Sequence, residues 1–169
     1  MREILFRGKR KDNGEWACSG NLIQFFDNNI REVYISQYGE RCNAVHDIDT
    51  DNIETITCEN GARFYKVIPE TVGQYTGLTD KNGKKIFEGD IVRYQFDNDD
   101  CPFPNKRTEP ILGRVFFSDF RASFSVTAGK NGGSALNNDL FKYVQNGNRV
   151  EVIGNINDNP ELLKVGDDK

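Results

Sequence analysis

Arg7, Lys9, Arg10 and Lys11, followed by Trp16, form the one basic cluster of the chain. Cationic side chains contact phosphates and an indole stacks on a nucleobase, so this group suits a single-stranded nucleic acid. The same charges would equally serve to keep a hairpin edge soluble. The second stretch with a chemical look is TVGQYTGLTDKNGKKIFEGDIVRY, from Thr71 to Tyr94. Its glycines suggest a phosphate cradle, yet neither GxGxxG nor GxxxxGK[ST] occurs and no long helix is expected after it. The glycines are therefore assigned to turns, and no cofactor is predicted. Glu88 and Asp90 flank Gly89 and could act as an acid–base pair. With no nucleophile or histidine near them in sequence, they are expected to cap backbone donors in a bend.

His46 lies in NAVHDIDTD beside Asp47, Asp49 and Asp51. Counted from Asp47, a calcium loop needs glycine sixth and glutamate twelfth, where this chain has Asn52 and Cys58. A solvated acidic loop is predicted instead. The four cysteines, Cys18, Cys42, Cys58 and Cys101, form no CxxC pair, and one histidine cannot complete a zinc site with them. Four thiols are expected. Cys101 follows Asp100, an acidic neighbour that disfavours the thiolate, so a cysteine nucleophile is not predicted. No catalytic or metal-ligating residue emerges, and the chain reads as a non-enzyme.

The elements that must position these residues are those of a β protein. Asp12-Asn13-Gly14, Asn60-Gly61, Asn82-Gly83, Asn131-Gly132-Gly133 and Asn146-Gly147-Asn148 supply the left-handed backbone that tight turns need. Between them lie β-branched and aromatic runs. Strands are predicted over Glu3–Gly8, Glu15–Phe25, Glu32–Ser36, Ile53–Cys58, Arg63–Ile68, Gln74–Leu78, Lys85–Phe87, Ile91–Phe96, Leu112–Ser118, Ala122–Ala128 and Val150–Ile156, with a short one at Phe141–Val144. The first two form a hairpin over DNG, and Ile53–Cys58 pairs with Arg63–Ile68. Asp97–Pro110, with three prolines, and Gly129–Asp139 are long loops. Asn159-Pro160 starts one short helical turn.

Composition agrees. Twelve phenylalanines and six tyrosines supply aromatic surface to bury, and the net charge is −4. Divided at Glu70, both parts are acidic on balance, unlike a strongly basic nucleic-acid footprint. No apolar run approaches the roughly 20 residues of a membrane span. The N-terminus lacks a secretory h-region, so no membrane association and a cytoplasmic location are expected.

The opening MREILFRGKRKDNGEW, the block PETVGQYTGLTDKNGKKIFEGDIV and the closing GNINDNPELL together resemble the YopX-like proteins of bacteriophages and prophages. The resemblance implies a phage- or prophage-encoded, cytoplasmic, β-rich protein with a barrel-like C-terminal part, and no catalytic residue. The expected fold is mainly β: an N-terminal β-rich lobe over residues 1–70 and a small, partly open SH3-like barrel over residues 71–169. The expected function is binding of a macromolecule, either a host or phage protein or a single-stranded nucleic acid. Self-association through a strand edge is the other partnership such a fold permits.

Overall fold

The computed structural model describes residues 3–27, 30–36, 55–58, 62–97, 99–100, 102–127 and 139–163. The chain is mainly β, built from antiparallel sheets. It divides into two compact units, Met1–Tyr75 and Thr76–Lys169.

In the first unit, β1 (Phe6–Lys9) and β2 (Trp16–Ser19) form a hairpin over the Asp12-Asn13-Gly14 turn, with Lys9 opposite Trp16 and Arg7 opposite Cys18. Glu15–Phe25 is predicted as one strand, but the chain breaks at Gly20. The run after it becomes β3 (Leu22–Asp27), which pairs with β4 (Ile30–Ser36) in a different sheet. A side chain at Gly20 would crowd the Ile4 carbonyl, which lies 3.0 Å from a would-be Cβ. β5 (Thr55–Thr57) and β6 (Arg63–Val67) complete that sheet in the order β3-β4-β6-β5, and they pair as predicted.

Strand alternation then dictates the packing. Val33 and Ile35 of β4 join Ala17 and Val67 in one cluster, while Tyr34 points the other way into a cluster with Ile56, Cys58, Ala62 and Phe64. Val33, Tyr34 and Ile35 are all fully buried, so β4 is the central strand of this unit. The β1–β2 hairpin approaches β6 so closely that a Cβ on Gly8 would lie 2.9 Å from Val67 Cγ2. Cys58 is disulfide-bonded, which corrects the expectation of four thiols; Cys18 forms no disulfide. Cysteine spacing alone gave no sign of that bond. Cys42, Cys101 and the His46–Asp51 segment lie outside the described residues, as do Asn60-Gly61, Asn131-Gly132-Gly133 and the predicted strand residues Ile53 and Glu54.

β7 (Gly73–Thr79) carries the boundary: Gly73 and Gln74 pair with β1, while Thr76 Oγ1 donates to the Ile86 carbonyl of β8 (Lys85–Phe87) at 2.9 Å. The second unit continues with β9 (Asp90–Tyr94), β10 (Ile111–Ser118), β11 (Ser123–Val126), α1 (Leu140–Gln145) and β12 (Val150–Asn155). Its sheet runs β11-β10-β9-β12, all antiparallel, with a register shift in β12 between Val152 and Gly154. Its core holds Ile86, Val92, Tyr94, Val115, Val126, Leu140, Tyr143 and Val150. Phe141–Val144, predicted as a strand, is instead part of α1. Asp139 caps that helix by accepting from Phe141 N at 3.0 Å, and Leu140 and Tyr143, one helical turn apart, both reach the core. A 3-10 turn over Pro160–Leu163 matches the helical turn predicted there.

Candidate functional site

The Thr71–Tyr94 stretch folds a corner. The Asp80 N–H donates to the Lys84 carbonyl, and Gly83 sits at φ 81°, the left-handed position of a three-residue hairpin loop. Asp80 is 2% exposed, and its carboxylate accepts from Asn82 N (2.8 Å), Lys84 N (2.9 Å) and Val152 N (3.0 Å). Burial acts to raise its pKa, but these three donors outweigh burial and hold it below the ordinary value. Asp90 accepts from Phe87 N at 2.8 Å and caps the bend as the sequence suggests, whereas Glu88 accepts from Phe117 N of β10 at 3.1 Å and ties the bend to that strand instead.

The basic cluster divides into three parts. Arg7 and Lys9 alternate along β1, so they share a face, and the β1–β2 register places Trp16 on that same face. The Arg7 guanidinium lies 4.7 Å from the Trp16 ring centroid and the Lys9 ammonium 5.8 Å away. Both distances are within cation–π reach. Arg10 is turned elsewhere. Its guanidinium stacks 3.7 Å from the Tyr65 ring, pairs with Asp12 and leaves the side chain 19% exposed. The hydrogen bond from Arg10 lowers the Asp12 pKa and raises that of Arg10 in turn. Lys11 is exposed, and its backbone N–H donates to the Lys66 carbonyl. The structure therefore brings together Arg7, Lys9 and Trp16, sets Arg10 into a structural role, and leaves Lys11 at the turn.

The second unit holds a polar pocket of about 340 Å³ that the sequence did not disclose. Arg93 on β9 and Glu151 on β12 are cross-strand partners, with Arg93 Nη1 3.7 Å from Glu151 Oε2. Lys81 reaches the same carboxylate from the β7–β8 turn at 2.8 Å. The hydrogen bond from Lys81 is the main cause of a lowered Glu151 pKa. Asn148 and Arg149, on the turn between α1 and β12, close the wall with Tyr94 beneath. Tyr94 donates to the Thr127 carbonyl at 3.1 Å, and burial pushes its phenol up to about 12. Arg149 stands 5.7 Å from the Tyr143 ring, and no carboxylate among the described residues pairs with it. Nothing short-range in the sequence links Lys81, Arg93 and Arg149. The charged residue set between two buried ones in both DIVRY and RVEVI was the available signal, because it puts Arg93 and Glu151 on an outer face. The pairing of those strands was not available.

The family model described as "YopX protein" matches residues 5–164, nearly the whole chain. The chain belongs to the YopX family. Among solved structures, this YopX-family chain is similar to protein EF1440 from Enterococcus faecalis. The two share 20% identity with a TM-score of 0.47, over 96% of this chain and 99% of that one. No curated protein matches. Among the described residues of this family member, no group of three or more metal-ligating side chains occurs, and no helix is long and apolar enough to cross a membrane.

Proposed function

We propose that this YopX-family chain is a phage- or prophage-encoded accessory protein that works in the host cytoplasm by binding a macromolecule, without catalysis. The observation that carries this reading is the meeting of Arg7, Lys9 and Trp16 on one face of the β1–β2 hairpin. A cation–aromatic surface gives binding energy and orientation and contains no group suited to bond breaking. The partner is an acidic macromolecule: a host or phage protein, or a single-stranded nucleic acid. The indole favours the nucleic acid, because stacked bases and phosphates match an aromatic flanked by cations. For the fold of the second unit, the antiparallel order β11-β10-β9-β12 and the irregularity in β12 support a partly open SH3-like barrel, since such a shift bends a strand.

Trp16 is the only tryptophan, so its fluorescence reports on this surface alone. Titration with oligo-dT or oligo-U at low salt is expected to change its emission. The change should reverse as salt is added and disappear in an Arg7→Ala/Lys9→Ala variant. A photo-crosslinker placed at position 9 is expected to capture one discrete phage or host macromolecule in infected cells. A silent titration at low salt removes the nucleic acid, and a silent titration with no discrete crosslink removes the binding role altogether.

A further inference from the structure

We propose that the pocket between β9, β12, the β7–β8 turn and the α1–β12 turn binds a small phosphorylated molecule. Three cations, Lys81, Arg93 and Arg149, and two carboxylates, Asp99 and Glu151, line it, leaving the pocket positive within a chain whose net charge is −4. That local reversal is what an anion-binding cavity requires, because like-signed charges gathered in a concave site focus the field. Two of the cations are held in readiness rather than consumed. Lys81 and Arg93 share Glu151 and remain 50% and 51% exposed, and ion pairs so exposed are weak and readily exchanged for a second anion. Arg149 is the third, 5.7 Å from the Tyr143 ring and in ion-pair contact with no carboxylate among the described residues. A guanidinium presents paired donors that match phosphate oxygens, which makes Arg149 the principal contact.

The rest of the lining argues for an ester over a bare ion. Asn148 Oδ1 is buried with no hydrogen-bond partner, while its Nδ2 donates to the Thr79 carbonyl at 3.2 Å. Gln95 adds an amide to the same wall. That amide can exchange hydrogen bonds with hydroxyl or amino groups on the organic part of a ligand. The volume, about 340 Å³, is at the small end of ligand pockets, which run from roughly 300 to 1,000 Å³, and it has room for a phosphorylated small molecule. The backbone turn that presents the site is itself unusual. Gly147 (φ 87°) and Asn148 (φ 41°) are consecutive left-handed residues, and they fix where Arg149 emerges.

The shared chemistry is a phosphate group, and its source is separated by three probes titrated calorimetrically into the full chain: inorganic phosphate, a nucleoside monophosphate and a single-stranded oligonucleotide. Saturable binding of the monophosphate is expected, weakened by roughly tenfold to a hundredfold in Arg149→Met, as loss of a charged hydrogen-bond partner implies. Arg93→Met, at a half-exposed strand position that should leave folding intact, is expected to weaken it by several-fold. Arg7→Ala/Lys9→Ala should leave it unchanged, so failure here and failure of the hairpin surface are separate results. Equal affinity for inorganic phosphate and the monophosphate would identify phosphate itself as the ligand. Binding of the oligonucleotide alone, binding indifferent to both arginine variants, or no saturable binding of phosphate or monophosphate overturns the proposal.

Discussion

One carboxylate fixes the corner that opens the second unit. Asp80 accepts from two donors in its own turn and from Val152 N on β12, so it sets the loop shape and docks the hairpin on the sheet. Replacing it with asparagine removes the charge and turns an amide donor toward backbone donors. Asp80→Asn is expected to cost about 3 kcal/mol in denaturant unfolding, because buried backbone donors lose a charged acceptor. The pH dependence follows from the lowered folded-state pKa. A depressed carboxylate stabilises the fold fully above its unfolded value, near 3.9, and loses that contribution as pH falls through the folded value. The stability gap between wild type and Asp80→Asn should therefore narrow below about pH 4. A gap that stays constant down to acid pH would show that the charge of Asp80 contributes nothing.

At the scale of elements, α1 shows how a short segment is decided. Phe141, Tyr143 and Val144 have strand-forming side chains, and read in isolation they predict a strand. The helix wins because Asp139 caps it and because Leu140 and Tyr143, three residues apart, both find the core. Asp139→Ala is expected to destabilise the second unit by about 1 kcal/mol, measured as a shift in urea midpoint at constant slope. An unchanged midpoint would mean that packing alone holds the helix. Other elements were readable from local chemistry. Asn82-Gly83 demands a left-handed turn, and the β-branched and aromatic residues of TIT and RFYKV mark both strands of the β5–β6 pair. The break at Gly20 was not readable, because strand-forming side chains run on past it and only the sheet pairing shows the chain changing partners there. The basic cluster was half legible for a related reason. Period-two alternation puts Arg7 and Lys9 on one face, but only the fold shows that Tyr65 and Asp12 claim Arg10. The pocket was illegible because β9 and β12 lie far apart in sequence and their register is set by packing.

Across the whole molecule, the two units own separate apolar clusters. The first centres on Val33, Ile35 and Val67, with Tyr34 and Phe64 on the opposite sheet face, and the second on Ile86, Val92, Tyr94 and Tyr143. Stability measured by a single global probe therefore mixes two contributions, and hydrogen exchange resolves them residue by residue. Val33 is fully buried on the central strand of its unit, so Val33→Ala opens a cavity that side chains held from both faces of the sheet cannot collapse to fill. A cost of about 2–3 kcal/mol is expected, seen as faster exchange at the amides of β3, β4 and β6. The amides of β9, β10 and β12 should keep their protection, because none of their side chains belongs to that cluster. Equal acceleration in both sets would mean that β7, which pairs with β1 at one end and β8 at the other, makes the chain a single cooperative unit.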